Sequence, residues 1–185
     1  MMVSGEVCAS RLVFVDEMGS NTSLHELYAY SPRGERAYCS VARNRGKNTT
    51  LISSMSLSGM GPSMVVVEGG VNGAVFETYL QRMLLPALEE GDVMVMDNLR
   101  VHKSERVREL IEHAGVEVLY LPPYSPDFNP IEEAFSKIKN LVRKAGARVR
   151  EALVEALGMA LSEVSEEDAL GFFEHCGYRE AVQLL

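Results

Sequence analysis

Leu12-Val13-Phe14-Val15-Asp16 is a run of four apolar residues closed by a carboxylate, and Val93-Met94-Val95-Met96-Asp97 repeats the arrangement. A short continuous apolar run bounded by polar residues reads as a strand buried on both faces, at the centre of a sheet covered by helices. A strand that ends in aspartate carries its charge to the rim of that sheet. A third carboxylate follows in Asn129-Pro130-Ile131-Glu132, the start of the best-defined helix. Its apolar positions Ile131, Ala134, Phe135, Ile138, Leu141 and Val142 recur at helical spacing. Asn129 suits the N-cap and Pro130 the first helical position.

Working outward, residues 49–57 and 64–67 read as two further strands joined through Gly59-Met60-Gly61-Pro62. Residues 24–45 are mixed, with a turn at Ser31-Pro32-Arg33-Gly34. Helical periodicity spans 74–88, 103–114 and 149–164, and a strand at 116–121 is stopped by Pro122-Pro123. Strands followed by alternating helix and strand predict an α/β fold, a mixed sheet flanked by helices. The chain of 185 residues suits a single domain, with a core at about 10–145 and a helical C-terminal region at about 146–185.

Composition narrows the class. Hydrophobic content of 46% and charged content of 24% are ordinary for a soluble globular protein. No apolar run is long enough to span a membrane, and residues 1–6 resemble no secretory signal. Cys8, Cys39 and Cys176 form no C-x-x-C pair, so a cytoplasmic protein with reduced thiols is expected and a zinc site is not. A net charge of −8 argues against a strongly basic DNA-coating protein. Basic residues nonetheless cluster at Arg33, Arg36, Arg43, Arg45 and Lys47, and again at Lys137, Lys139, Arg143 and Lys144. Such local clusters are compatible with nucleic acid at one face, or with ordinary solvated surface.

Each carboxylate has a plain local reading: Asp16 as a strand-end loop residue, Asp97 as a turn or cap, Glu132 as the far half of a capping box with Asn129. A capping box contributes roughly 1 kcal/mol. Two carboxylates about 4 Å apart repel by roughly 4 kcal/mol at an effective dielectric near 20, and divalent cations reverse that sign. Hard cations such as Mg²⁺ take oxygen ligands, and a pair of them suits in-line phosphoryl transfer. Glu133 competes with Glu132 for the site. It lies farther round the helix from Ile131 and has Lys137 four residues on, the favourable order for a surface pair. Glu132 is therefore expected at the site and Glu133 outside it.

Val15-Asp16-Glu17, Met96-Asp97-Asn98 with His102-Lys103, and Leu121-Pro-Pro-Tyr-Ser-Pro-Asp-Phe-Asn-Pro-Ile-Glu132 together resemble the DDE transposases of the insertion-sequence 630 and mariner superfamily. The gap of 34 residues between Asp97 and Glu132 resembles that superfamily's spacing, and His175-Cys176-Gly177-Tyr178-Arg179 is similar to bacterial endings. The resemblance implies a ribonuclease H-like fold with Asp16, Asp97 and Glu132 as catalytic metal ligands. It also implies Mg²⁺ or Mn²⁺, as two ions, and cutting of transposon ends followed by joining of the 3′-hydroxyl to TA-containing target DNA. Action as a homodimer is implied as well. His102 and Lys103 join the two basic clusters as candidate DNA contacts. Members of the superfamily carry an N-terminal helix-turn-helix, for which residues 1–10 leave no room, so a separately encoded recognition half is expected. Two other readings remain: a catalytically silent product that binds and regulates full-length transposase, and a host nuclease of the same fold.

Overall fold

The structure, a computed structural model, describes residues 8–38, 40, 46–67, 69–123 and 125–179. Five strands form one sheet in the order β3-β2-β1-β4-β5: β1 Leu12–Ser20, β2 Thr49–Ser56, β3 Gly59–Val66, β4 Val93–Met96 and β5 Glu117–Tyr120. β1 to β3 form an antiparallel meander, whereas β4 and β5 run parallel to β1. The helices are α1 Gly73–Tyr79, α2 Glu105–His113, α3 Pro130–Ala145, α4 Arg150–Ser162 and α5 Glu166–His175.

Period-two alternation along β1 sends its side chains into two separate cores. Leu12, Phe14 and Met18 pack with Ile131, Phe135 and Ile138 of α3, Leu157 of α4 and Phe173 of α5. Val13 and Val15 pack on the other face with Phe76 and Tyr79 of α1 and with Val107 and Ile111 of α2. Burial on both faces is what the unbroken apolar run requires. On the α3 side, Phe14 meets the edges of Phe173 and Tyr178, with ring centroids at 5.2 and 5.1 Å. Edge-to-face pairs of this kind contribute about 0.5–1.5 kcal/mol each beyond their buried area. They fix α5 against the central strand.

Four local differences from the sequence reading have physical causes. β1 does not stop at Asp16 but continues to Ser20, because β2 pairs with it from Phe14↔Met55 to Ser20↔Thr49 after β4 has ended. Gly59 to Pro62, expected as a connection, begins β3 instead; β3 is an edge strand, where a missing proline N–H is tolerated. The helix expected over 74–88 is α only to Tyr79. It widens into a π turn over Leu80–Leu84 and tightens into a 3-10 turn over Leu85–Ala87, where Pro86 lacks an N–H for a regular turn. Finally, α5 was not foreseen as a separate helix, although its capping box is in the sequence. The Ser165 hydroxyl accepts from the Asp168 N–H (3.1 Å), and Asp168 accepts from the Ser165 N–H (2.8 Å).

α3 is stopped by Gly146 in the left-handed region (φ 61°), as its place after Ala145 suggests. Among the described residues, no helix is long and apolar enough to cross a membrane.

Candidate functional site

β4 ends at Met96, paired with Val15, so the next residue on each strand is an aspartate: Asp16 within β1 and Asp97 just past the end of β4. Asp16 shares its face of the sheet with Phe14 and Met18, the face covered by α3. It is 8% exposed. One carboxylate oxygen accepts the Glu17 N–H at 2.7 Å and the other accepts the Asn129 Nδ2 amide at 2.8 Å. Asn129 therefore spends its side chain on Asp16, not on capping α3, which has no side-chain cap bond. The expected Asn129–Glu132 capping box is corrected on that ground. What the sequence suggested as a helix start is also the link between α3 and the central strand.

Asp97 lies just beyond β4, where its Oδ1 accepts the Leu99 N–H at 3.0 Å, a local turn of the kind aspartate favours. Glu132, in the first turn of α3, is exposed and lines a cleft of about 470 Å³ together with Asp97, Asn98, Leu121, Pro122 and Pro126. Glu133, one position round the helix and expected to face solvent, is instead half-buried against His175 of α5. Its expected partner Lys137 instead contacts Asp168 and donates to the Glu163 carbonyl at 2.8 Å. The tertiary contact with α5 overrides the local helical pair.

The electrostatics reflect three acids around a dry strand. Burial pushes the Asp16 carboxyl up, the Glu17 N–H holds it back in part, and the nearby charges of Glu132, Asp97 and Glu17 raise it further, to about 7. Burial also raises Asp97, but contact with His102 and the Leu99 N–H outweigh it and leave Asp97 below the ordinary carboxylate range. His102 has no exposed surface. Its Nε2 lies 3.1 Å from Glu17 Oε1, and its Nδ1 lies 2.7 Å from Asp97 Oδ1, an ion-pair contact whose angle falls short of a hydrogen bond. Burial alone would lower the imidazole, yet the contacts with Asp97 and Glu17 bring it to about 9, so the ring is charged at neutral pH.

The remaining basic candidates are dispersed. Arg33 and Arg36 are exposed on the irregular segment between β1 and β2, near the exposed Tyr28, Tyr30 and Tyr38; Lys47 is exposed just before β2. Arg43 and Arg45 lie outside the described residues. Lys103 is half-buried, its Nζ 5.0 Å from the centre of the Tyr120 ring. Lys139 and Arg143 are half-buried on α3, Arg143 donating to Asn140 at 2.8 Å, and Lys144 is exposed. Of the expected DNA contacts, His102 is enclosed by protein, and Lys137 keeps part of its side chain exposed while contacting Asp168 and donating to the Glu163 carbonyl. The sequence marks Glu17 only as the neighbour of Asp16. Its pairing with His102 spans 85 positions, and no local spacing signals it.

Among the described residues, no three His, Cys, Asp or Glu side chains stand as a ready-made ion cage. Asp97 and Glu132 nevertheless bring carboxylate oxygens to the cleft, beside the side-chain oxygens of Asn98 and Ser125, and hard divalent cations take oxygen ligands. Asp16 and Asp97 are each steadied by fixed N–H donors, and Glu132 stays exposed. The residues fit such an ion.

Residues 11–154 match the family described as DDE superfamily endonuclease. The Transposable element Tc1 transposase of Caenorhabditis elegans is 27% identical over 126 residues, 66% of this chain and 44% of that protein. Among solved structures, the chain is similar to the Mos1 transposase paired-end complex with left transposon end, at 24% identity and a TM-score of 0.76, covering 91% of this chain and 52% of the other. It is also similar to the Mos1 mariner paired end complex with Mn, at 23% identity and a TM-score of 0.74, covering 92% and 54%. These likenesses establish the ribonuclease H-like fold. The chain spans less than half the length of the Tc1 protein and about half that of the Mos1 chains.

Proposed function

The chain belongs to the DDE superfamily endonuclease family, and from that premise we propose that it is a transposase catalytic domain that cuts transposon ends and joins the freed 3′-hydroxyl to target DNA by metal-dependent phosphoryl transfer. What supports this reading is that the shared register of β1 and β4 ends at Val15↔Met96, one residue before Asp16 and Asp97, and that Asp97 and Glu132 line one cleft. Asp16, Asp97 and Glu132 hold the cations. Two Mg²⁺ or Mn²⁺ ions, when bound, supply the positive charge that stabilises the transferring phosphoryl group. Asn129 keeps one oxygen of Asp16 in place, and Leu99 does the same for Asp97. The N-terminus of α3 contributes a field favourable to phosphate next to Glu132.

DNA is the partner in this reading. Arg33, Arg36, Lys47, Lys103, Lys139, Arg143 and Lys144 provide phosphate contacts around an otherwise acidic protein. TA-containing target DNA and action as a homodimer complete the proposal. Retention of all three carboxylates disfavours the silent regulatory product.

The test is cleavage of supercoiled DNA bearing the element's terminal repeats, with any separate recognition half supplied. The expected outcome is nicking in Mg²⁺ that leaves 3′-hydroxyl ends, stops in EDTA and returns with Mn²⁺. Equal cleavage with and without chelator, or none under any condition, contradicts the proposal.

A further inference from the structure

We propose that His102 and Glu17 form a positioning unit that holds Asp97 in the rotamer needed for cation binding, behind the cleft and out of reach of DNA. The inference rests on the metal-site reading above and adds two residues to it.

The geometry is specific to such a role. β1 presents consecutive acids to opposite faces: Asp16 toward α3, and Glu17 toward α1, where His102 lies. His102 sits between Glu17 and Asp97 with both ring nitrogens against carboxylate oxygens, at 3.1 and 2.7 Å. Nε2 hydrogen-bonds Glu17 Oε1, and Nδ1 stands in ion-pair contact with Asp97 Oδ1. The residue is held from other directions too: the ring centroid is 4.4 Å from that of Phe76, and the backbone carbonyl accepts the Tyr120 hydroxyl at 2.9 Å. The central strand thus carries one cation ligand and, through Glu17 and His102, the anchor of the next.

Stability is a weak account of this arrangement. An enclosed imidazole held between two carboxylates is expensive to desolvate, and apolar side chains in the same space commonly serve as well or better. The benefit falls on Asp97, whose side chain is 35% exposed and whose backbone has already left β4. With Oδ1 committed to Leu99 and His102, the carboxylate is oriented from one side and Oδ2 is the oxygen left for a cation. Outer partners that orient metal ligands in this way are worth about 10–100-fold in metal affinity or activity.

The experiment is Mn²⁺ titration, read by electron paramagnetic resonance of the free ion, on wild type, His102→Gln, Glu17→Gln and Asp97→Asn, each checked for folding by circular dichroism. Folded Glu17→Gln and His102→Gln are expected to bind Mn²⁺ about 10–100-fold more weakly. Their DNA cleavage should recover largely as Mn²⁺ is raised, which a general packing defect would not produce. Glu17→Gln exchanges one oxygen for an amide at a side chain 13% exposed, so it decides the matter if His102→Gln does not fold. Folded variants that bind Mn²⁺ as wild type does, even with lowered thermal stability, overturn the positioning role. If Asp97→Asn also binds unchanged, the metal-site reading itself fails. If only Asp97→Asn loses binding, the inference alone falls.

Discussion

Asp97→Asn is expected to reduce metal-dependent DNA cleavage by at least about 10³-fold, roughly 4 kcal/mol of lost transition-state stabilisation, while the protein stays folded. The two halves of this expectation have separate sources. Asparagine keeps a side-chain oxygen to accept the Leu99 N–H, so the turn after β4 survives. It removes the negative charge that offsets a cation at the cleft, and a neutral amide is a much poorer ligand for Mg²⁺ or Mn²⁺. Cleavage assays in excess Mn²⁺, alongside circular dichroism, give the measurement. A folded Asp97→Asn protein that cuts within tenfold of wild type removes Asp97 from the site.

Asp16→Asn is expected to separate stability from function more sharply. In the metal-free protein the Asp16 carboxyl is raised from 3.8 to about 7, mainly by burial and then, against the Glu17 N–H, by the charges of Glu132, Asp97 and Glu17. Between those two values the folded state binds more protons than the unfolded state. Stability therefore falls as pH rises from about 4 to about 7, and is level above that. At about 1.4 kcal/mol per pK unit, ionised Asp16 costs the folded protein up to about 4 kcal/mol at pH 8. Asp16→Asn removes this cost, so in EDTA the variant should be the more stable protein at pH 8, with the difference fading as pH approaches 4. Mg²⁺ should stabilise wild type by mass action and leave the variant largely unaffected, while cleavage by the variant is lost. Equal pH dependence of stability for the two proteins across this range, in EDTA, contradicts the raised Asp16 carboxyl, whose largest cause is burial.

Sequence periodicity was sufficient where one element's own burial dictates its structure. The runs ending at Asp16 and Asp97 are buried on both faces, and the apolar stripe of α3 faces the sheet as its spacing predicts. It was insufficient where a distant partner decides. Asp16 looked like the end of a strand because its apolar run stops there, but β2 carries β1 four residues farther, to Ser20. Asn129 looked like a cap, and its amide is instead claimed by Asp16 across 113 positions. Lys137 and Glu133 looked like partners on one helix, yet both turn to α5. The His102 contact with Glu17 belongs to the same class: each residue is ordinary in its own segment, and only the placement of the turn Arg100–Lys103, after β4, beside β1 brings the two together.

The central claim is that Asp16, Asp97 and Glu132 share bound cations, and anomalous diffraction from Mn²⁺-soaked crystals tests it most directly. The account predicts Mn²⁺ peaks at the cleft within about 2.0–2.6 Å of oxygens from these three side chains, the range for hard-cation carboxylate ligation. Mn²⁺ peaks elsewhere, with all three carboxylates unliganded at a saturating concentration, would contradict it.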